Sequence, residues 1–256
     1  VKISFSRLKN VLLYLPVILF WLLVWELTNV LIPGNIIIVS PRATFVRLFE
    51  LARTVDFWQA IATTLRRIVL GFSLALASGI VIAAISAKSR IFHRLMQPAI
   101  NVINAIPIAS FTIIALMAMN SANLPVFVAF VTVLPIIFYN THKGITNTDP
   151  ALLEMAALFG VKPWKKVVYI YLRTVAPYVL AAATTGIGFA WKSGIAAELI
   201  GVVRGTVGAN LHTARIFLLT ADVFAWTIAI VLLSYAMERA FRLIFGRIIN
   251  TEGVAR

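Results

Sequence analysis

The sequence predicts an all-α, polytopic membrane protein with six transmembrane helices in a single domain spanning residues 1–256, on three observations. Hydrophobic residues make up 61% of the chain and charged residues only 12%, against about 25% charged in a soluble domain. Mean hydropathy is +0.95. Six stretches approach the ~20 apolar residues that cross a bilayer, and the basic residues sort by side once those stretches are drawn.

The first stretch, Val11–Ile32, is longer than the apolar core of a signal peptide and no small-x-small cleavage site follows it, so it is expected to remain as a span. After it, Phe45, Leu48, Phe49 and Ala52 recur at helical spacing and predict a short surface helix that anchors the outer loop Pro33–Ala60. The remaining spans are Ile68–Ala87, Leu95–Met119, Pro125–Thr141, Ala176–Ala197 and Ala221–Phe245. Between the fourth and fifth lies a basic, amphipathic loop, Asp149–Pro177. Asp149 is a natural N-cap and Pro150 a natural first helical residue, Gly160 stops that helix, and Lys162 and Pro163 restart another.

With the N-terminus inside, fifteen of the 23 Lys and Arg residues fall on cytoplasmic pieces, seven fall outside and Lys192 alone lies within a span. This asymmetry places both termini and the loop Asp149–Pro177 in the cytoplasm. The net charge of +14 is then accounted for by anionic lipid headgroups, and no nucleic-acid partner is expected. The chain has no cysteine, its three histidines are scattered without HExxH spacing, and no GxxxxGK[ST] loop is present. No metal site and no catalytic residue are expected, and any ATP-driven step needs a second chain to hydrolyse the nucleotide.

The loop resembles the EAA loop of the permeases of binding-protein-dependent ABC importers. That pattern is matched at Glu154, Ala156, Gly160, Ile170 and Leu172, with Met155 in place of the first Ala and Arg173 in place of the Pro. Thr64 to Phe72 (TLRRIVLGF) is similar to the SLxRVLxGF segment of the sulfonate, taurine, nitrate and thiamine-precursor branch. Ala190-Trp191, Ala197-Glu198 and the Gly205-to-Gly208 segment match its later signatures. Met117–Leu124, MAMNSANL, departs from the Trp-Phe-Gly-rich turn usual there. The resemblance extends from about Ser40 to Arg247, and the permease core is placed at 60–247.

The resemblance implies a type I importer permease fold in the bacterial cytoplasmic membrane. Two permease copies, expected to be a homodimer, would form the path. Two cytoplasmic ATPase subunits would hold ATP and Mg, and an extracellular or periplasmic solute-binding protein would deliver a small anionic or heterocyclic solute. It places ATPase coupling on Glu154, Ala156, Ala157, Gly160, Pro163 and Trp164. The pathway candidates are Asn101, Asn104 and Thr112 in the third span and Trp191, Lys192 and Glu198 in the fifth. On a continuous third helix, Asn101, Ala105, Ile108, Thr112, Ala115 and Met119 fall within about 40° of one line. Such a stripe either lines the path or packs on a neighbour.

Lys192 lies about 24 Å along its helix at ~1.5 Å per residue, so it either faces solute or snorkels to the outer interface. Glu198 is expected near the outer surface, and Glu26 has no visible partner. An ion-coupled carrier or channel would need more acidic residues inside its spans. An intramembrane enzyme would need paired catalytic residues, which the sequence does not offer.

Overall fold

A computed structural model describes residues 5–32 and 38–251, with the side chains of residues 16–32 and 38–243. The described chain is all helical. Helix α1 (Phe5–Leu31) leaves Val17, Phe20, Trp21, Leu23 and Leu27 exposed, as suits a surface that meets lipid. It touches the body through Trp25, which stacks on Phe224 at 5.6 Å and donates from Nε1 to the Val39 carbonyl at 2.9 Å.

Ser40 caps α2 (Pro41–Ala52), its hydroxyl accepting from the Ala43 N–H. This is the expected short helix, but the structure also packs it on α11 (Thr220–Thr251). There Arg47 makes a two-point ion pair with Asp222, one arm of which is 3.1 Å long. The paired carboxylate, with Glu50, holds the guanidinium pKa above its ordinary value.

Thr54 caps α3 (Val55–Lys88), whose hydroxyl accepts from the Phe57 N–H. At 34 residues the helix is about 51 Å long at ~1.5 Å per residue, well beyond a ~30 Å hydrocarbon core. The predicted span Ile68–Ala87 is therefore only its second half. The hydroxyl of Ser89 accepts from the Phe92 N–H and opens α4 (Arg90–Ala105).

The predicted third span, Leu95–Met119, is not one helix. After α4 the chain is extended at Ile106 and Pro107, and α5 (Ile108–Ala118) leaves at 105°. Proline supplies the reason: it removes a donor and pushes the preceding residue out of the α region.

A short 3₁₀ turn, Ser121–Asn123, leads into α6 (Leu124–Thr146). Then come α7 (Pro150–Leu158) and α8 (Pro163–Lys166), a π-helical stretch Val167–Tyr171, and α9 (Leu172–Gly201). The chain closes with α10 (Val207–Ile216) and α11. Helix α6 sits between α3 and α9. Its Val133, Ile137 and Phe138 meet Ile68 and Phe72 of α3 and Ile187 and Trp191 of α9 in the main core. A second cluster joins Phe57 and Ile61 to Val207 and Trp226.

Among the described residues, four helical segments are long and apolar enough to cross a membrane, and the bent α4–α5 pair makes a fifth. The apolar part of α1 described with side chains, Pro16–Leu31, is shorter than a span. The first residues of the predicted span Val11–Ile32 lie outside the described side chains, as do Lys2, Arg7, Lys9, Arg247 and Arg256 of the charge argument. The molecule is an all-α, multi-pass membrane protein.

Candidate functional site

The loop between α6 and α9 forms a projecting knob. The Asp149 carboxylate caps α7, accepting from the Ala151 N–H at 2.9 Å, and Pro150 occupies the first turn where no N–H is needed. At the other end the Val161 N–H reaches the Ala156 carbonyl at 2.9 Å and the Gly160 N–H reaches Ala157 at 3.1 Å. This paired closure requires a left-handed residue, and Gly160 supplies it with φ +61°. Ala156 is buried and seats the helix, whereas Glu154, Ala157, Pro163 and Trp164 face outward. Leu158 and Phe159 are 87% and 80% exposed. This short helix thus leaves much of its apolar surface exposed on a fixed turn.

The second feature arises at the break between α4 and α5. A cavity of about 300 Å³ opens there against α6 and α9, lined by Asn104, Ile106, Phe111, Thr132, Thr185 and Phe189 among others. Thr132 and Thr185 donate their hydroxyl protons to Val128 and Ala181 one turn back, so each presents acceptor lone pairs to the cavity. The Asn104 amide has no hydrogen-bond partner among the described residues. Apolar walls with a few convergent polar groups are the usual make-up of a small-solute pocket.

The other pathway candidates disperse. Asn101 accepts from the Tyr139 hydroxyl, outside the cavity. Thr112 is enclosed and donates to the Ile108 carbonyl at 2.7 Å. The single stripe expected along Asn101, Ala105, Ile108, Thr112, Ala115 and Met119 does not exist, because Pro107 turns its two halves 105° apart. Trp191 is a core residue whose Nε1 donates to the Ile230 carbonyl at 3.0 Å. Lys192 is exposed. It stands three residues from Phe189 and seven from Thr185, so all three share one face of α9. Lys192 does not line the cavity itself, but helical side chains lean toward the N-terminus, so it leans along the face that holds Phe189 and Thr185.

Glu198 stands three residues before the end of α9 and is enclosed by protein, 0% exposed. One carboxylate oxygen accepts from the Thr64 hydroxyl at 2.9 Å and from the Gly208 N–H at 3.1 Å. Thr64 in turn accepts from the Val207 N–H at 3.1 Å. Glu198 therefore ties α9, α3 and the start of α10 together. Its other oxygen and Arg67 Nη1 are buried without partners. Nearby, α9 ends on Val202 at φ 45°, a left-handed turn that is strained for a β-branched residue.

Sequence reasoning missed Thr132, Thr185, Phe111 and Phe189. The spacing Thr185, Phe189, Lys192 and the Ile106-Pro107 pair were the signals available.

The family of binding-protein-dependent transport system inner membrane components matches residues 79–250. A probable ABC transporter permease of Brucella melitensis is 24% identical over 220 residues, covering 86% of this chain and 87% of that one. The bicarbonate transport system permease of Synechococcus elongatus is 28% identical over 217 residues, covering 79% and 76%. The crystal structure of an amino acid ABC transporter with histidines superimposes with a TM-score of 0.62 at 16% identity, covering 81% of this chain and 97% of that one. The last of these speaks to the fold alone.

Proposed function

The chain belongs to the family of binding-protein-dependent transport system inner membrane components, and on that premise we propose that it is the pathway-forming permease of an ATP-driven importer. The observation that carries the reading is the α7 knob, whose exposed Leu158 and Phe159 stand on the Gly160 turn. Glu154, Ala156, Ala157, Gly160, Pro163 and Trp164 form the seat for a cytoplasmic ATPase subunit that holds ATP and Mg. Closure of two such ATPases pushes the knob, and α8 with the π-helical stretch transmits the push to α9 as one rod. A second copy of this chain completes the path and an external binding protein loads it. Counting α1 and the bent α4–α5 pair as spans gives six crossings in the bacterial cytoplasmic membrane, with both termini inside.

The solute is small and anionic or heterocyclic, as bicarbonate is for the cyanobacterial relative, and it passes the cavity at Asn104, Thr132 and Thr185 with Lys192 as its attracting charge. Uptake into proteoliposomes holding the whole complex tests both levels. With the anion captured by the binding protein, uptake requires ATP. Lys192→Met lowers it about tenfold, equivalent to ~1.4 kcal/mol, whereas Lys192→Arg stays within about twofold. ATP-independent uptake would sink the importer reading, and equal uptake by wild type and Lys192→Met would remove Lys192 from the path.

Orientation is checked separately in this cysteine-free chain. Single cysteines replace Trp164 in the knob and Val55, both exposed; Val55 is preferred to its neighbour Thr54, whose hydroxyl caps α3. In intact cells an impermeant thiol reagent is expected to label Val55→Cys and spare Trp164→Cys. The reverse pattern would invert the topology.

A further inference from the structure

Below the main core, a groove of about 520 Å³ runs between the last turns of α3 and α6 and the π-helical start of α9, lined by Ile80, Ala84, Lys88, Thr141, Tyr171 and Val175 among others. Three of its properties belong together. The walls are almost wholly apolar. Lys88, the one charged lining residue, is exposed and makes no ion pair among the described residues.

Thr141 also lines the groove, a residue 1% exposed whose hydroxyl has no hydrogen-bond partner. Thr112, Thr132, Thr184 and Thr185 instead donate to the carbonyl four residues back. An unpaired hydroxyl in apolar surroundings is costly, so Thr141 is placed for an acceptor that the chain does not provide.

We propose that this groove binds one anionic phospholipid. An acyl chain lies along Ile80, Ala84 and Val175, an ester carbonyl accepts from Thr141, and the phosphate meets Lys88. The three chemistries that line the groove, apolar walls, one hydroxyl and one cation, match those of acyl chain, ester and phosphate. Arg90 and Arg94 follow Lys88 within six residues, with no acidic residue between, which favours a lipid of net negative charge over a zwitterionic one. That the leaflet is the cytoplasmic one rests on the orientation proposed above. Because Val167 and Tyr171 also line the groove, the lipid braces the joint between the α7–α8 loop and α9.

Native mass spectrometry of the purified full chain, stripped of lipid and titrated with phosphatidylglycerol or phosphatidylcholine of matched acyl chains, tests this without transport or ATPase, so the result stands apart from the importer reading. One phosphatidylglycerol per chain is expected, at concentrations where phosphatidylcholine does not bind. Ala84→Phe, which fills the groove, abolishes the adduct. Lys88→Gln weakens phosphatidylglycerol about fivefold, as loss of one surface cation predicts, and Thr141→Val weakens both lipids. Lys88 is exposed at a helix end, so its variant reads the proposal even if Ala84→Phe fails to fold. Equal binding of the two lipids, unchanged binding by Lys88→Gln, or a mass of two chains with no lipid overturns it, the last in favour of a second protein copy.

Discussion

Gly160→Val is expected to reduce solute-stimulated ATP hydrolysis by the reconstituted complex at least about tenfold, and to lose the ATPase in pull-down, while the protein still inserts. Gly160 has φ +61° and no atom would lie within 4 Å of an added Cβ. The penalty is therefore in the backbone and not in a clash. A left-handed conformation costs an L-residue about 1–2 kcal/mol, and a β-branched one is the least tolerant.

With that turn lost, the hydrogen bonds from Val161 to Ala156 and from Gly160 to Ala157 go as well, and Leu158 and Phe159 no longer stand at a fixed angle. Asparagine tolerates the left-handed region, so Gly160→Asn should retain most of the activity. Glu154→Lys, which reverses an exposed charge on the same helix, should weaken capture while leaving the turn intact. ATPase capture and stimulated hydrolysis at wild-type levels in both Gly160→Val and Glu154→Lys would remove the loop from coupling.

The second large effect is structural. Gly208→Ala should lower the melting temperature of the purified protein by about 6–12 °C. An added Cβ there would lie 2.4 Å from the Cβ of Glu198 and 2.7 Å from the backbone nitrogen of Leu199. Neither atom can swing aside, so α10 must move off α9. That displaces the Gly208 N–H from the Glu198 side chain and the Val207 N–H from Thr64, leaving buried polar groups without their partners. Overpacking of this kind costs up to roughly 3 kcal/mol, and in a chain of this size each kcal/mol is worth about 2–4 °C. Melting within about 2 °C of wild type would show that the two helices do not approach so closely.

Several elements were legible because their signals are local. Asp149, Pro150 and Gly160 mark the bounds of α7 by cap and turn chemistry acting within a few residues, and the structure places α7 between them. The short helix α2 followed from apolar spacing alone. The third span was misread because hydropathy is continuous across Pro107, and hydropathy does not register a bend of 105°. Thr112 and Asn101, aligned on paper, are parted by that bend, whereas Asn104 reaches a cavity whose other polar groups come from α6 and α9.

The sequence by itself determined the membrane class, most of the long apolar segments and the helix-turn form of the basic loop, since these follow from composition, charge and residue spacing over one or two helical turns. Only the tertiary structure decided where Glu198 goes. Its partner Thr64 is 134 residues away, and nothing in the spacing around Glu198 separates a solvent-facing carboxylate from an enclosed one. The same holds for Arg47 and Asp222, 175 residues apart, and for the cavity shared by α4, α5, α6 and α9. Contacts between distant turns depend on how helices lie against one another, and that is set by packing of whole faces rather than by any single residue's neighbours in the chain.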